Sequence, residues 1–405
     1  MVKDINPYGN SFPVNLTPVG DLLFFAADDG VHGVELWKSD GTARGTKMVK
    51  NIGPYKASSS PENLVNVNGT LFFTADDGKH GRELWKSNGT KAGTVLVRDL
   101  NPGPNGQFGG NSTILHGPPI VVGNRLFFIA DTGDFGSTLY VSDGTAGGTY
   151  VVSDATFYPP DEAFEGAAGG KFYFVTLDAD GGAWDIAHLW VSDGTSAGTH
   201  AQAGAPIAEN MSILPVNGTK LYFYTDRLWR TDGTAAGTKP LTSPGALNSA
   251  PTESALMNGR LYFNDGALWK TNGSASGTKI ISSGEAKWLA VAGNRIFFIR
   301  GSHLWKSDGT AAGTKDMGVF GAQPPRAMAA VGNYVCFGEA DWGNAVWTLW
   351  KSDGTIAGTY QVASFFIFGG GFSTGDGPIG TAVGSRLYFS AAGDDHGAEL
   401  WSYTP

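Results

Sequence analysis

The sequence predicts an all-β fold, a single closed β-propeller of nine four-stranded blades. Three observations lead to this prediction: a phrase repeated at a mean spacing of about 45 residues, strand-like segments that recur within each repeat, and chain ends that complement each other. A period near 45 residues is typical of propeller blades with four strands. Such blades bury little apolar surface alone, so neighbouring units must stack.

The repeated phrase is Ser-Asp-Gly-Thr-x-x-Gly-Thr, which follows Leu-Trp or, once, Leu-Tyr. Its exact copies and close variants begin at Ser39, Ser87, Ser142, Ser192, Thr231, Thr271, Ser307 and Ser352. A ninth Leu-Trp pair, Leu400-Trp401, has no such phrase after it. The repeats therefore predict one domain over residues 1–405 with units at about 13–53, 61–101, 118–153, 165–203, 211–243, 252–283, 286–319, 326–363 and 377–405 plus 1–6.

The second unit shows its four strands most clearly. Short runs of β-branched, aromatic and other apolar residues are separated by turn dipeptides such as Asn68-Gly69 and Asn88-Gly89. The expected strands are 63–66, 71–75, 83–86 and 95–100. Because turn signals come every 8 to 12 residues or so, no helices are needed.

The two ends of the chain decide whether the stack closes. Val2-Lys3-Asp4-Ile5-Asn6-Pro7 matches the fourth strand that begins at Val97, whereas the ninth unit supplies only its first three strands. Pairing the N-terminal strand with the C-terminal three completes one blade and removes exposed sheet edges. An eight-bladed ring with one displaced blade is the second interpretation, and an open superhelix is the third.

Composition narrows the classes of partner. The 60 glycines fit a turn-rich chain, and the single cysteine, Cys336, excludes a disulfide framework or a cysteine-based metal cage. Cys336 lies in an apolar run and is expected to be buried. A net charge of −9 argues against nucleic acid as a partner. The sequence contains no apolar run long enough to span a membrane, and its N-terminus lacks the features of a signal peptide.

A longer motif carries a family resemblance. The segment from Ala75 to Gly81, followed by Glu83-Leu84-Trp85-Lys86-Ser87-Asn88-Gly89-Thr90, resembles the bacterial ELWxxDGT-repeat proteins, and the resemblance covers essentially the whole chain. It implies a protein that is extracellular or on the cell surface and often part of a larger surface chain. It brings no catalytic residues with it.

Two repeated polar motifs could bind ions. The Asp-Gly-Thr hairpins recur in nearly every unit, which favours a structural turn in which Asp and Thr cap backbone donors. The loop Asp-Asp-Gly-x-His-Gly-x-Glu is the sharper candidate, because it combines carboxylates with an imidazole. Its second copy supplies the candidate metal ligands Asp76, Asp77, His80 and Glu83. The alternative is a consensus loop without metal, so no cofactor is expected apart from Ca²⁺ in these loops.

Loop lengths point to one functional face. Connections from second to third strands, and from fourth strands to the next unit, emerge on the same face and vary widely in length, whereas the opposite turns are nearly constant. We name these the long-loop face and the turn face. Variable loops on a constant scaffold commonly carry function. The candidate ligand-binding residues on the long-loop face are Trp184, Trp342 and Trp347, expected in loops from second to third strands, and Phe157 and Tyr158, expected in a connection after a fourth strand.

These features predict a non-catalytic binding, adhesion or scaffold protein, with a carbohydrate or protein ligand on the long-loop face. Aromatic rings can stack on sugars or anchor a peptide. No nucleophile elbow, zinc-binding His pair or phosphate-binding loop is present. The alternative is a propeller enzyme, a hydrolase or lyase acting on glycans, with an acidic site around the fourth unit. A monomer is expected.

Overall fold

The computed structural model describes residues 1–102, 112–115, 117–131, 137–153, 165–177, 186–209, 211–214, 218–321, 323–341, 343–344, 346–366, 380–392 and 396–405. Within these ranges the regular structure consists of 36 β-strands and no helix. The fold is a nine-bladed β-propeller, and the blades are four-stranded antiparallel meanders. The predicted nine blades are confirmed, and the eight-bladed alternative is wrong.

Contacts divide the chain into two compact units. Unit 1 comprises Met1–Lys79, Trp85–Val95 and Glu285–Pro405, and unit 2 comprises His80–Leu84 and Leu96–Gly284. Unit 1 holds blades 1, 7, 8 and 9 with most of blade 2, and unit 2 holds blades 3 to 6.

The strands of the first two blades have nearly identical lengths. They are β1 (Val14–Val19), β2 (Leu22–Asp28), β3 (Val34–Ser39) and β4 (Lys47–Lys50) in blade 1, and β5 (Glu62–Val67), β6 (Thr70–Asp76), β7 (Arg82–Ser87) and β8 (Val95–Arg98) in blade 2.

Blades 3 to 6 repeat the meander with shorter fourth strands in three of the four. Blade 3 has β10 (Ile120–Val122), β11 (Arg125–Asp131), β12 (Thr138–Ser142) and β13 (Tyr150–Val151), and an additional short strand, β9 (Ile114–Leu115), pairs with β11. Blade 4 has β14 (Glu165–Ala168), β15 (Lys171–Leu177), β16 (Ala187–Ser192) and β17 (His200–Ala201). Blade 5 has β18 (Ser212–Ile213), β19 (Leu221–Tyr224), β20 (Leu228–Thr231) and β21 (Lys239–Pro240), and blade 6 has β22 (Glu253–Met257), β23 (Arg260–Asn264), β24 (Ala267–Thr271) and β25 (Lys279–Ser283).

Blades 7 to 9 complete the series. Blade 7 has β26 (Lys287–Ala292), β27 (Arg295–Arg300), β28 (His303–Ser307) and β29 (Lys315–Val319), and blade 8 has β30 (Pro325–Val331), β31 (Tyr334–Asp341), β32 (Val346–Ser352) and β33 (Tyr360–Phe366). Blade 9 has β34 (Thr381–Val383), β35 (Arg386–Ala392) and β36 (Ala398–Tyr403). Its fourth strand comes from the N-terminus.

The core lies between blades. Both faces of the second strand of each blade are apolar, so in β2 the residues from Leu23 to Ala27 are all buried. One apolar cluster joins blade 1 to blade 9 through Phe25, Trp37 and Tyr388. Cys336 is completely buried, as its apolar surroundings predict.

The N-terminal segment takes the place of a fourth strand in blade 9. Lys3 forms an antiparallel bridge with Leu400, and the Val2 N–H donates to the Leu400 carbonyl at 2.8 Å. The Lys3 ammonium then donates to the Thr46 carbonyl in blade 1, as Lys50 of blade 1 does to Thr94 in blade 2. Because Lys3 and Lys50 occupy the same repeat position, the predicted closure by the N-terminal strand is confirmed.

Candidate functional site

The Asp-Gly-Thr hairpins satisfy their own polar groups. In the first copy, Asp40 Oδ1 accepts hydrogen bonds from the Thr42 N–H at 2.9 Å and the Thr42 hydroxyl at 2.7 Å. Ser39 Oγ accepts from the Gly41 N–H at 2.9 Å and is hydrogen-bonded to Thr46 Oγ1 at 2.7 Å. The Thr42 bonds lower the pKa of the exposed Asp40 carboxyl. The same Asx bonds recur at Asn88, Asp143, Asp193, Asp232, Asn272, Asp308 and Asp353. These bonds make the hairpins structural turns.

The paired aspartates of the acidic loops also cap local backbone. Asp28 Oδ1 accepts from the Gly30 N–H at 2.7 Å, and Asp29 Oδ1 accepts from the His32 N–H at 2.8 Å. Asp29 Oδ2 lies 2.8 Å from His32 Nδ1. Burial opposes ionisation of Asp29, but the hydrogen bonds from His32 and Val31 outweigh it and lower its pKa. In the second copy, Asp76 and Asp77 accept from the N–H groups of Gly78 and Lys79.

The glutamate of each acidic loop is buried. Glu83 is fully buried and accepts from the Leu100 N–H at 3.0 Å, the Asn101 N–H at 3.4 Å and the Thr113 hydroxyl at 2.9 Å. Glu35 binds the N–H groups of Ile52, Gly53 and Ser59 and the Ser59 hydroxyl in the same way. Glu399 accepts hydrogen bonds from the N–H groups of Ile5 and Asn6 and from the Ser11 hydroxyl. We name these three side chains the glutamate clamps.

The clamps close the connection from a fourth strand to the next first strand. Burial raises the pKa of Glu83 to about 7, although its hydrogen bonds favour the ionised form. Among the residues that the structure describes, no group of three or more His, Cys, Asp or Glu side chains could hold a metal ion. The Ca²⁺ site at Asp76, Asp77, His80 and Glu83 stays a prediction without support from the described residues. The hydrogen bonds of Glu83 give that residue a structural role instead.

Four of the five predicted aromatic ligand-binding residues, Trp184, Trp342, Phe157 and Tyr158, lie outside the described residues. The prediction that the fifth, Trp347, lies in a loop is wrong. β31 extends to Asp341 and β32 begins at Val346, so Trp347 is a strand residue. Its ring is 7% exposed and packs against Phe365 and Phe389, with centroids 5.7 and 5.9 Å away. Trp347 therefore supports the core between blades 8 and 9.

Two tyrosines on the long-loop face are more exposed than any aromatic residue that the sequence singled out and the structure describes. Tyr8 is 95% exposed and Tyr55 is 93% exposed. Each follows a proline, Pro7 or Pro54, in the connection that a glutamate clamp holds. The signal that could have found them is the matching Pro-Tyr at one repeat position. The backbone of Tyr55 has a φ of +58°, a conformation that costs free energy in a residue with a Cβ.

Glu165 lies at the start of β14. Both of its carboxyl oxygens are buried, and neither has a hydrogen-bond partner in the described part of the chain. Glu165 pairs in register with Phe174, whose ring stacks on Trp190 at 6.1 Å, so an apolar surface lies beside it. Burial raises the pKa of Glu165 to about 8. The other acids of the fourth unit, Asp161, Glu162, Asp178, Asp180 and Asp185, which belong to the acidic site expected for the enzyme alternative, lie outside the described residues.

Comparisons with known proteins assign no family. No protein-family model matches the chain. No curated protein sequence matches it either. Several solved structures are similar to it at low identity. They include the computationally designed protein Ika8 (14% identity, TM-score 0.47, 85% of this chain and 96% of that one) and BamB from Moraxella catarrhalis (11%, 0.42, 96% and 96%). A puromycin-hydrolyzing peptidase from Mycobacterium tuberculosis is 13% identical over 90% of this chain, with a TM-score of 0.48, and the match spans 54% of the peptidase.

The described residues include no helix that is long and apolar enough to cross a membrane.

Proposed function

We propose that this chain is a non-catalytic binding or adhesion propeller that holds a carbohydrate or protein ligand on its long-loop face. The observation that carries the proposal is the pair of almost fully exposed tyrosines, Tyr8 and Tyr55, at one repeat position. An aromatic ring costs little conformational entropy to hold in place and offers a flat surface for stacking. Rigid connections position both residues, because Glu399 and Glu35 clamp the backbone just before them.

The repeated carboxylates already accept hydrogen bonds from their own loops, which favours a binding function over a catalytic one. The clamp glutamates and the hairpin aspartates accept bonds from their own loops, so these repeated acids are already occupied. A general acid or base must reach a proton of the substrate, and a carboxylate turned into a buried loop does not. The repeats therefore act as a scaffold, and the loops present the ligand surface.

A glycan array tests the carbohydrate form of this proposal. The double variant Tyr8→Ala, Tyr55→Ala should lose at least about tenfold in affinity for any glycan that the parent protein binds, since each stacked ring contributes on the order of 1 kcal/mol or more. Ile356→Ala is the matched control, because Ile356 is 70% exposed in a turn-face hairpin. Equal binding by the parent protein and the double variant would place the ligand away from Tyr8 and Tyr55. An array on which the parent protein binds no glycan would exclude a carbohydrate ligand.

The resemblance to the ELWxxDGT-repeat proteins supports two further parts of the proposal. We place the chain in that family and on the outside of the cell, as an extracellular or cell-surface module. Protease treatment of intact cells that produce the protein tests the location. Degradation without lysis is expected, and full protection would contradict a surface location.

One observation favours a second candidate function, a glycan hydrolase or lyase. Glu165 combines a buried, unpartnered carboxyl group with a pKa raised to about 8, which are properties of a general acid in glycoside hydrolysis. Release of reducing ends from glycans by the parent protein, and its loss in Glu165→Gln, would establish this activity. If the protein released no reducing ends from the glycans that it binds, the enzyme candidate would be contradicted and only the binding function would remain.

A further inference from the structure

On the turn face, the Asp-Gly-Thr hairpins of two blades accept hydrogen bonds from the preceding blade. The Lys306 ammonium of blade 7 donates to the carbonyl of Gly354, the hairpin glycine of blade 8. In blade 3 the same type of acceptor, the Gly194 carbonyl of blade 4, takes the hydroxyl of Tyr150 at 3.2 Å. In these two pairs of blades, a hairpin carbonyl therefore accepts a hydrogen bond from a polar side chain of the preceding blade.

Blade 8 carries both kinds of donor at these positions. Lys351 follows Trp350 as Lys306 follows Trp305, and Tyr360 follows Thr359 as Tyr150 follows Thr149. In the next blade, Ser402 and Tyr403 follow Trp401 where Lys38 and Ser39 follow Trp37 in blade 1. Tyr403 pairs with Leu387 just as Ser39 pairs with Leu23, so a tyrosine occupies the position of the first hairpin residue.

Lys351 is consequently enclosed by aromatic rings. Its side chain is 9% exposed, and its ammonium lies 4.3 Å from the ring centroid of Tyr334 and 5.2 Å from that of Tyr360. The side chains of Lys351 and Tyr403 both lie close enough to Tyr360 for it to affect their pKa values, after burial as the main cause. In the described residues Lys351 forms no ion pair, although its charge contributes, after the hydrogen bonds from Thr355, to the lowered pKa of Asp353. The nearby Asp353 directs its Oδ1 to Thr355. We name Lys351, Tyr334, Tyr360 and Tyr403 the lysine–tyrosine cluster.

An apolar cavity of about 380 Å³ adjoins this cluster and shares Tyr403 with it. Its wall includes Leu349, Val362, Phe365, Phe389 and Trp401. The rings of Phe365 and Trp401 meet edge to face at 5.0 Å, which gives the cavity a rigid aromatic side. Its volume falls within the range of about 300–1,000 Å³ that is usual for small-molecule sites.

We propose that the seam between blades 8 and 9 binds a small monocarboxylate with an apolar body. The carboxylate takes the acceptor position that a hairpin carbonyl fills in other blades, where Lys351, Tyr360 and Tyr403 supply donors. The apolar body enters the cavity beside Phe365 and Trp401. A carboxylate suits the cluster better than a neutral carbonyl, because the enclosed ammonium carries a charge that no acid in the described residues pairs with. Neither Tyr8 nor Tyr55 lines this cavity, so the site is distinct from the tyrosine pair of the proposed function.

Isothermal titration calorimetry of the whole chain with 4-phenylbutyrate tests the proposal. Its primary amide, 4-phenylbutyramide, keeps the apolar body and loses the charge, whereas acetate keeps the charge and loses the body. Both should bind at least about tenfold more weakly than 4-phenylbutyrate, because a hydrogen bond to a charged group and a buried ring each contribute at least about a factor of ten.

Variants at repeat-equivalent positions give matched controls. Lys351→Met should weaken binding of 4-phenylbutyrate at least about tenfold, whereas Lys306→Met should leave it unchanged. Tyr360→Phe should weaken it several-fold, and Tyr150→Phe should not. Tyr360 is 47% exposed and loses only a hydroxyl, so this variant keeps the test valid if Lys351→Met does not fold. Equal binding of the acid and the amide, unchanged affinity in Lys351→Met or Tyr360→Phe, or no saturable binding by the parent protein at millimolar concentration would overturn the proposal.

Discussion

At the scale of single residues, buried carboxyl groups divide into two kinds. The glutamate clamps Glu35, Glu83 and Glu399 each accept at least two backbone N–H groups and one hydroxyl, so their burial is compensated. Glu165 has no such partners in the described part of the chain, and the burial of its carboxyl oxygens favours the protonated form. The two kinds therefore respond differently to substitution by glutamine.

Glu165 makes the stability of the protein depend on pH. Its pKa is about 8 in the folded state against an ordinary 4.5, so between these values the folded chain holds a proton that the unfolded chain has lost. Stability should therefore fall as pH rises from 4.5 to 8, by at most about 1.4 kcal/mol per pH unit from this group. Glu165→Gln mimics the protonated form, so the variant should gain stability over the parent protein progressively through this range.

Urea denaturation at several pH values measures this difference. Glu285→Gln serves as the control, because it removes a carboxyl group that is 52% exposed and pairs with Lys287 at the surface rather than a buried one. A constant difference between Glu165→Gln and the parent protein from pH 5 to 8 would show that Glu165 does not titrate in this range.

At the scale of the element, the hairpin depends on its second glycine for a steric reason. A Cβ added at Gly148 would lie 2.0 Å from Asp143 Oδ1, whereas a Cβ at the adjacent Gly147 would meet nothing within 4 Å. Gly148→Ala should therefore reduce the free energy of unfolding by about 1–3 kcal/mol, and Gly147→Ala should change it by less than about 0.5 kcal/mol. Denaturant midpoints of the two variants measure the contrast, and equal midpoints would contradict the steric argument.

The number of residues that separates two hydrogen-bonded partners in the sequence explains which elements could be predicted. Every bond within the Asp-Gly-Thr hairpin joins residues at most seven apart, such as Ser39 and Thr46, so the local sequence specifies the turn. The hydrogen-bond donors to Glu83 lie 17 to 30 residues away in the sequence. The residues near Glu83 therefore do not indicate which donors it will meet. Trp347 was misplaced because β31 and β32 are each one residue longer than their counterparts in blade 1. Extra strand length in one repeat resembles a loop insertion.

At the scale of the whole molecule, the two ends of the chain depend on each other. The repeat count and the match between Val2–Pro7 and the fourth strand of blade 2 were sufficient to predict nine blades and their closure. The binding face was harder to predict, because it depends on exposure, and exposure follows from the packing of the blades. Tyr8 and Tyr55 belong to connections whose course the clamps determine, so their exposure became visible only in three dimensions.

Removal of residues 1–6 should destabilise the propeller and expose a sheet edge. The deletion takes away the N–H groups of Ile5 and Asn6, so of the donors described here Glu399 keeps only the Ser11 hydroxyl, and it also removes the buried Ile5 side chain. The lost hydrogen bonds and apolar burial together amount to about 4–6 kcal/mol. The uncovered edge of β36 should also promote pairing between molecules. We expect a lower urea midpoint and concentration-dependent association in light scattering.

A synthetic peptide of residues 1–10 added to the truncated chain should restore the midpoint, because it supplies the missing strand and both N–H donors. The peptide with Ile5→Asp should fail, since it places a charge in the position of a side chain that is 4% exposed. Lys3→Met in the intact chain removes only the bond to the Thr46 carbonyl and should cost about 1 kcal/mol. If the truncated chain unfolded at the same midpoint as the parent protein, the N-terminal strand would not be what completes the ninth blade.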